Sequence, residues 1–128
     1  MKPTQFKVKG SLAELFLIFI EDQKQLEKSP YKSALVEEED RNYGDGKRAG
    51  VGEVVLLIVT IAQDLVKDLF KDFLSEKLKG GAVHSATYKL TNDKGEKLEI
   101  TLNKLTLDEV KDMITQFKGN IVEIETLQ

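Results

Sequence analysis

The chain contains one histidine, which is the first residue to consider for acid–base or metal chemistry. His84 follows Gly80 and Gly81 closely and stands at the start of a predicted strand. A catalytic imidazole needs a nucleophile or an acid within hydrogen-bond reach, and a metal ion needs further ligands. The sequence provides neither close to this position. We therefore interpret His84 as a strand-entry residue and predict no catalytic residues.

An acidic run is the second set of side chains with chemical capacity. It covers residues 37–40 and is followed by Asn42 and Asp45. Such oxygen atoms bind calcium, but an EF-hand loop also needs a glycine at its sixth position and a glutamate at its twelfth. A loop that begins at Glu38 or Asp40 has neither. The run is interpreted as part of a solvated, charged loop, and no metal site is predicted.

A glycine-rich segment, "GDGKRAGVG", follows at residues 44–52. Its glycines and Lys47 resemble a phosphate-binding loop, but the spacer before the second glycine and the Ser or Thr after the lysine are missing. We predict that residues 38–52 form a flexible loop and that no cofactor binds there. The expected loop contacts, to a partner or to a small ligand, are Asp45, Lys47 and Arg48.

Composition limits the class of protein further. A chain of 128 residues with 41% hydrophobic residues fits a single domain, residues 1–128, with its own core. The 19 basic and 22 acidic residues are mixed along the chain and give a net charge of −3, so nucleic-acid binding is not expected. The absence of cysteine excludes disulfide scaffolds and thiolate sites and is compatible with a cytoplasmic protein.

Apolar periodicity predicts how these residues are positioned. "TQFKVKG" alternates as a strand, and Ser11 with Glu14 forms a capping box at the start of a helix. The predicted inner stripe of this helix is Leu12, Leu15, Phe16 and Phe19. The additional Leu17, Ile18 and Ile20 imply burial of the helix on more than one side. A short strand is predicted at residues 33–39.

The second half of the chain carries clearer signals. Two alternating runs surround "NDKG", in which Gly95 is available for a positive φ, and so predict a hairpin. Thr106 and Glu109 form a second capping box, Gly119 ends the helix that follows, and "IVEIETL" closes the chain as a strand. The predicted order is β-α-β-α-β-β-α-β. This order predicts an α+β fold with a mixed or antiparallel sheet, ferredoxin-like elements and about three helices.

The segment from residue 51 to 70 is apolar at first and amphipathic later. The run "VVLLIV" alone could form a buried strand, because it is rich in β-branched residues. No glycine or proline occurs between Glu53 and Lys79, however, so one long central helix ending before Gly80 is predicted. A helix that is apolar all round must be covered all round, and one sheet covers only one side. We predict that a partner or a second copy covers the rest. The predicted partner surface comprises Val54, Val55, Leu57, Ile58 and Val59.

Several consecutive segments together have a familiar layout. "GVGEVVLLIVTIAQDLVKDLFKDFL", whose apolar helix ends in Phe73-Leu74, is followed by "SATYKL", "NDKGEKLEI" and "TLDEVKDMI". This layout resembles the effector-associated constant component family of bacterial conflict and defence systems. The resemblance implies a non-catalytic adaptor that acts beside effector domains such as peptidases or nucleotide-binding switch proteins. It implies no catalytic residues.

Three functions follow as hypotheses. The first is a protein-interaction module, an adaptor or a self-associating subunit, because no chemical site is evident and the apolar content of two helices is high. The second is a domain that binds a small ligand or an anion, with residues 38–52 as a lid. The third is peripheral membrane association through residues 51–62. A membrane-spanning segment is not expected, because spanning needs about 20 apolar residues and this run is shorter.

Overall fold

The computed structural model describes residues 2–42, 53–78, 87–102 and 105–127. Within these ranges the chain forms strands, α-helices and one short 3-10 helix. They are β1 (Pro3–Lys9), α1 (Leu12–Lys24), β2 (Leu35–Asn42), β3 (Glu53–Ala62), the 3-10 helix (Gln63–Leu65), α2 (Val66–Leu78), β4 (Thr87–Asn92), β5 (Lys97–Thr101), α3 (Leu107–Gln116) and β6 (Ile121–Leu127). The predicted α+β class is confirmed.

The strands of the described ranges form one mixed sheet in the order β2-β3-β1-β6-β4-β5. β1 and β6 lie at its centre and are parallel, and the other neighbouring strands described are antiparallel. β3 pairs with the whole of β1, from Pro3 opposite Ala62 to Lys9 opposite Leu56. β2 and β5 are therefore the edges of this sheet.

The single long helix predicted over residues 53–79 is wrong. Its first part is strand β3, and the helix begins only at Val66, close to Asp64, where charged residues at helical spacing begin. Side chains that branch at Cβ lose rotamer freedom in a helix and pack well on a pleated sheet. β1 and β2 complete the hydrogen bonding of β3 on both sides. The branched residues of β3 are Val54, Val55, Ile58, Val59, Thr60 and Ile61.

The position of β3 also explains why its sequence is apolar on both sides. Successive strand residues face opposite sides of a sheet. Leu57 and Val59 are fully buried on the side that carries the helices. Leu56 and Ile58 alternate with them and are half-buried on the other side. A central strand of this kind needs no partner protein to cover its inner face.

The helices pack on one face of the sheet through a cluster of aromatic side chains. The ring of Phe16 in α1 has its centroid 6.0 Å from that of Phe6 in β1 and 4.9 Å from that of Phe73 in α2. The ring of Phe70 in α2 lies edge-on to that of Tyr88 in β4, with the centroids 6.2 Å apart. Pairs with these geometries contribute about 0.5–1.5 kcal/mol each beyond the burial of their area. The cluster therefore fixes how α1 and α2 sit over β1 and β4.

The two predicted capping boxes have different outcomes. Thr106 and Glu109 form both expected hydrogen bonds at the start of α3, and the Thr106 backbone N–H holds the pKa of Glu109 below its usual value. Ser11 makes no side-chain cap, because its own backbone is helical and the amide of Leu12 donates instead to Thr126 Oγ1 at 3.1 Å. The first capping box is therefore wrong. A long-range contact with β6 replaces the local one.

The other face of the sheet carries charged residues in cross-strand pairs. Lys9 pairs with Glu123 at 3.4 Å, and Lys89 pairs with Glu125 at 3.2 Å. Pairs that remain in contact with water contribute little to stability, about 0–1 kcal/mol each. They neutralise one another's charge, so the centre of this face has no strong excess of either sign.

A candidate partner-binding groove between the first two helices

The predicted partner surface lies on β3, and the structure divides it. Leu57 and Val59 are 0% exposed, so they belong to the core and cannot contact a partner. For these two residues the prediction is wrong, because it rested on a helix where the chain forms a strand. Val55 and Ile58 are half-buried. Val54 also lies in β3, and its side chain lies outside the described part of the chain.

The predicted loop is only partly within the described residues. β2 extends as far as Asn42, which pairs with Glu53, so residues 38–42 form a strand and not a loop. The predicted loop contacts Asp45, Lys47 and Arg48 lie outside the described residues, as do His84 and the pair Gly80 and Gly81.

Two classes of site can be checked in the ranges that the structure covers. There, no cluster of three or more His, Asp or Glu side chains is arranged to hold a metal ion. None of the helices in the same ranges has the length and apolar character needed to cross a membrane.

A groove with an apolar floor lies between α1 and α2. One wall is a face of α1 whose residues are spaced three and four apart: Leu15, Ile18, Phe19 and Asp22. The opposite wall comes from α2 and consists of Phe73, Glu76 and Lys77. The cavity measures about 190 Å³. It is large enough to admit one or two side chains of another molecule.

The groove exists because aromatic rings separate the two helices. The ring of Phe19 meets that of Phe73 edge-on, with centroids 5.6 Å apart, and both residues are almost completely buried. Two further side chains of α1 lie beside this contact: Leu15 is 45% exposed and Ile18 is 50% exposed. The prediction that Leu15 belongs to the inner stripe and that Ile18 is buried is therefore wrong.

Lys77, in the α2 wall, places a positive charge in the groove. Its Nζ donates a hydrogen bond to the Tyr88 hydroxyl at 2.9 Å and lies 5.8 Å from the ring centroid of Phe73 and 5.6 Å from that of Tyr88. Burial lowers the pKa of Lys77, and burial raises the pKa of Tyr88 to about 12. The faces of the two aromatic rings attract the Lys77 ammonium, and this attraction offsets only part of the cost of its burial.

The rim of the groove is acidic and its walls are held in place. Asp22 on α1 and Glu76 on α2 are both exposed. The Tyr31 hydroxyl, in the segment after α1, donates to Asp72 of α2 at 2.5 Å. Tyr31 is only 3% exposed, and burial together with Asp72 raises its pKa. This bond joins the end of the α1 region to α2, so the groove is formed before any partner arrives.

Two other cavities lie outside this groove. One of about 410 Å³ lies between the β4–β5 turn and α3. Asn92, which lies beside it, already has hydrogen-bond partners: it accepts from the amides of Lys94 and Glu96 and donates to the Lys118 carbonyl at 2.8 Å. The other, of about 320 Å³, lies on the outer face of the sheet, and its lining combines Gln5, Lys7 and Glu123 with Phe6, Ile58 and Val122.

Sequence reasoning missed the groove because its parts are not adjacent in the chain. Leu15 was assigned to the core from its helical spacing, and Lys77 had no distinctive neighbour. The closeness of Lys77 to Tyr88 depends on how α2 packs over β4. The apolar excess on α1 was the one available signal, since Leu17, Ile18 and Ile20 exceed what a single buried stripe needs.

No family model, curated protein or solved structure matches this chain. The resemblance to the effector-associated constant component family therefore remains a prediction.

Proposed function

We propose that the chain is a non-catalytic protein-interaction module and that the groove between α1 and α2 is its contact surface. The observation that carries this proposal is the exposure of Leu15 and Ile18 above the buried rings of Phe19 and Phe73. Exposed apolar side chains that adjoin a groove with polar residues around it are typical of protein-interaction sites.

The energy available at this surface suits a specific contact. Full burial of a Leu or Ile side chain contributes about 1.5–3 kcal/mol, and these two side chains are already about half buried. Covering Leu15 and Ile18 would therefore contribute roughly 1.5–3 kcal/mol in all. An anchor of this size needs surrounding contacts for stable binding, and both helices provide polar side chains at the rim.

The resemblance stated above supports a more specific form of the proposal. It suggests an adaptor in a bacterial effector or defence system, whose partner is the effector protein. The absence of cysteine fits a role in the cytoplasm. The acidic rim, Asp22 and Glu76, favours a protein over a membrane as the occupant, because anionic lipids attract basic surfaces.

Site-specific cross-linking in the source cells tests the contact surface. A photoreactive phenylalanine analogue replaces Leu15 or Ile18 in the groove, and the same analogue at Leu35 is the control. Leu35 is 63% exposed and lies on β2, away from the groove. We expect one and the same protein adduct from both groove positions and none from Leu35. Adducts that are absent, or equally abundant from Leu35, contradict the proposal.

A further inference from the structure

We propose that the occupant of the groove is a partner segment that presents an apolar side chain next to a carboxylate, and that the carboxylate pairs with Lys77. This inference rests on the proposed function and specifies the chemistry of the partner. The apolar side chain fills the space above Phe19 and Phe73, while the carboxylate enters at the Lys77 end of the groove.

The hydrogen bonding of Lys77 is incomplete. An ammonium group has three donors, and the described residues use one of them, in the bond to the Tyr88 hydroxyl. The ion pairs recorded for other lysines, those of Lys9 and Lys89 among them, have no counterpart at Lys77 within the described ranges. Residues 79–86, which follow α2 directly, contain no aspartate or glutamate. No carboxylate of residues 79–86 can therefore pair with Lys77.

The surroundings of Lys77 increase the benefit of a carboxylate. Its nitrogen lies near two aromatic rings and an apolar wall, where water is partly excluded. The attraction between opposite charges is stronger in such a place than in bulk water. A hydrogen bond to a charged partner in this environment is expected to change affinity about tenfold or more.

The acidic rim does not reverse this preference. Asp22 and Glu76 are exposed, so water screens their effect on a charge inside the groove. These two carboxylates are placed to form an ion pair with a basic residue elsewhere on the partner segment. The half-buried ammonium, rather than the solvated carboxylates, is the contact expected to discriminate between partners.

Matched probe peptides test this inference on the full chain. The first is a short helical peptide with two leucines one turn apart and a glutamate beside them. In the second and third, glutamine and lysine replace that glutamate. Dissociation constants are measured for wild type and for Lys77→Met, with Lys24→Met as a control because Lys24 is exposed at the end of α1. Amide chemical shifts locate the binding site.

On wild type and on Lys24→Met we expect the glutamate peptide to bind about tenfold tighter than the glutamine peptide, with the shifts centred on Leu15, Ile18 and Phe73. On Lys77→Met this difference should fall below about twofold. Tyr88→Phe provides a second variant that keeps the ammonium, and it should keep the preference for glutamate. If Tyr88→Phe keeps the preference and Lys77→Met loses it, the loss comes from the missing charge and not from damage to the fold.

Two results would overturn the inference. Equal affinities of the three peptides, with shifts in the groove, would show an apolar contact without a carboxylate and would leave the proposed function standing. A glutamate peptide that does not bind, or that prefers Lys77→Met, would also reject the carboxylate. The proposed function fails separately, if cross-links from Leu15 and Ile18 yield no adduct.

Discussion

Tyr88 links the core of the molecule to the groove. Its ring packs edge-on against Phe70, and its hydroxyl accepts a hydrogen bond from Lys77, which lines the groove. The residue is 1% exposed. A tyrosine in this position must stay protonated, because a buried phenolate would lose its hydration.

Burial of Tyr88 makes stability sensitive to alkaline pH. Its pKa is about 12 when folded, against an ordinary value of 10.0. Because the folded pKa is raised, the stabilisation is fully present below about pH 10 and is lost as the pH rises through the folded pKa. We expect the free energy of unfolding to fall by roughly 2–3 kcal/mol more in wild type than in Tyr88→Phe over this window. Urea unfolding across the alkaline range measures the difference.

Lys77 requires a control in this measurement. Burial lowers its pKa, so its effect on stability has the opposite sign: the folded state is favoured as the amine loses its proton. The same comparison in the Lys77→Met background removes this effect. Alkaline profiles that coincide with and without Tyr88 in that background would contradict the assigned burial.

The strand β3 shows where local patterns fail at the scale of an element. The hairpin of β4 and β5 and the cap of α3 were predictable, because turn residues and capping residues lie within a few positions of one another. β3 was not, because its extended conformation depends on β1 and β2, which are distant in sequence. The aliphatic run is compatible with a helix or a strand, and pairing with the neighbouring strands determines which of the two forms.

Two substitutions in β3 test its orientation. Leu57 is fully buried and its neighbour Ile58 is half-buried on the opposite face. We expect Leu57→Ala to lower the free energy of unfolding by about 2–5 kcal/mol and Ile58→Ala to lower it by roughly half as much. Denaturant unfolding gives both values. Equal losses would indicate that the two sides of residues 53–62 are buried alike.

Substitution of two glycines tests two turns, the one between β4 and β5 and the one between α3 and β6. Gly119 and Gly95 have φ of +73° and +82°, so a side chain is strained at both positions. A Cβ at Gly119 would also lie 2.5 Å from Asp93 Oδ1, whereas nothing lies within 4 Å of one at Gly95. We expect Gly95→Ala to cost about 1 kcal/mol of stability and Gly119→Ala roughly 2–4 kcal/mol. A smaller loss at Gly119 than at Gly95 in urea titrations would contradict the close packing of Asp93.

The molecule as a whole presents two unlike surfaces. On the outer face of the sheet, lysine and glutamate residues pair across strands, while the helical side contains the groove with its two exposed aliphatic residues. The general plan of one sheet and helices follows from apolar patterns in the sequence. The groove does not, because it depends on the spacing that Phe19 and Phe73 impose between α1 and α2.

The most direct test of the central claim is to measure how tightly two matched variants bind the partner that the cross-linking identifies. Ile18→Asp places a charge in the groove, and Leu35→Asp places one on a somewhat more exposed apolar residue of β2. Both side chains are at least half exposed, so both variants should unfold at nearly the wild-type temperature. We predict that Ile18→Asp binds the partner at least about tenfold more weakly and that Leu35→Asp binds it as wild type does. A folded Ile18→Asp that keeps wild-type affinity would contradict the assignment of the groove as the contact surface.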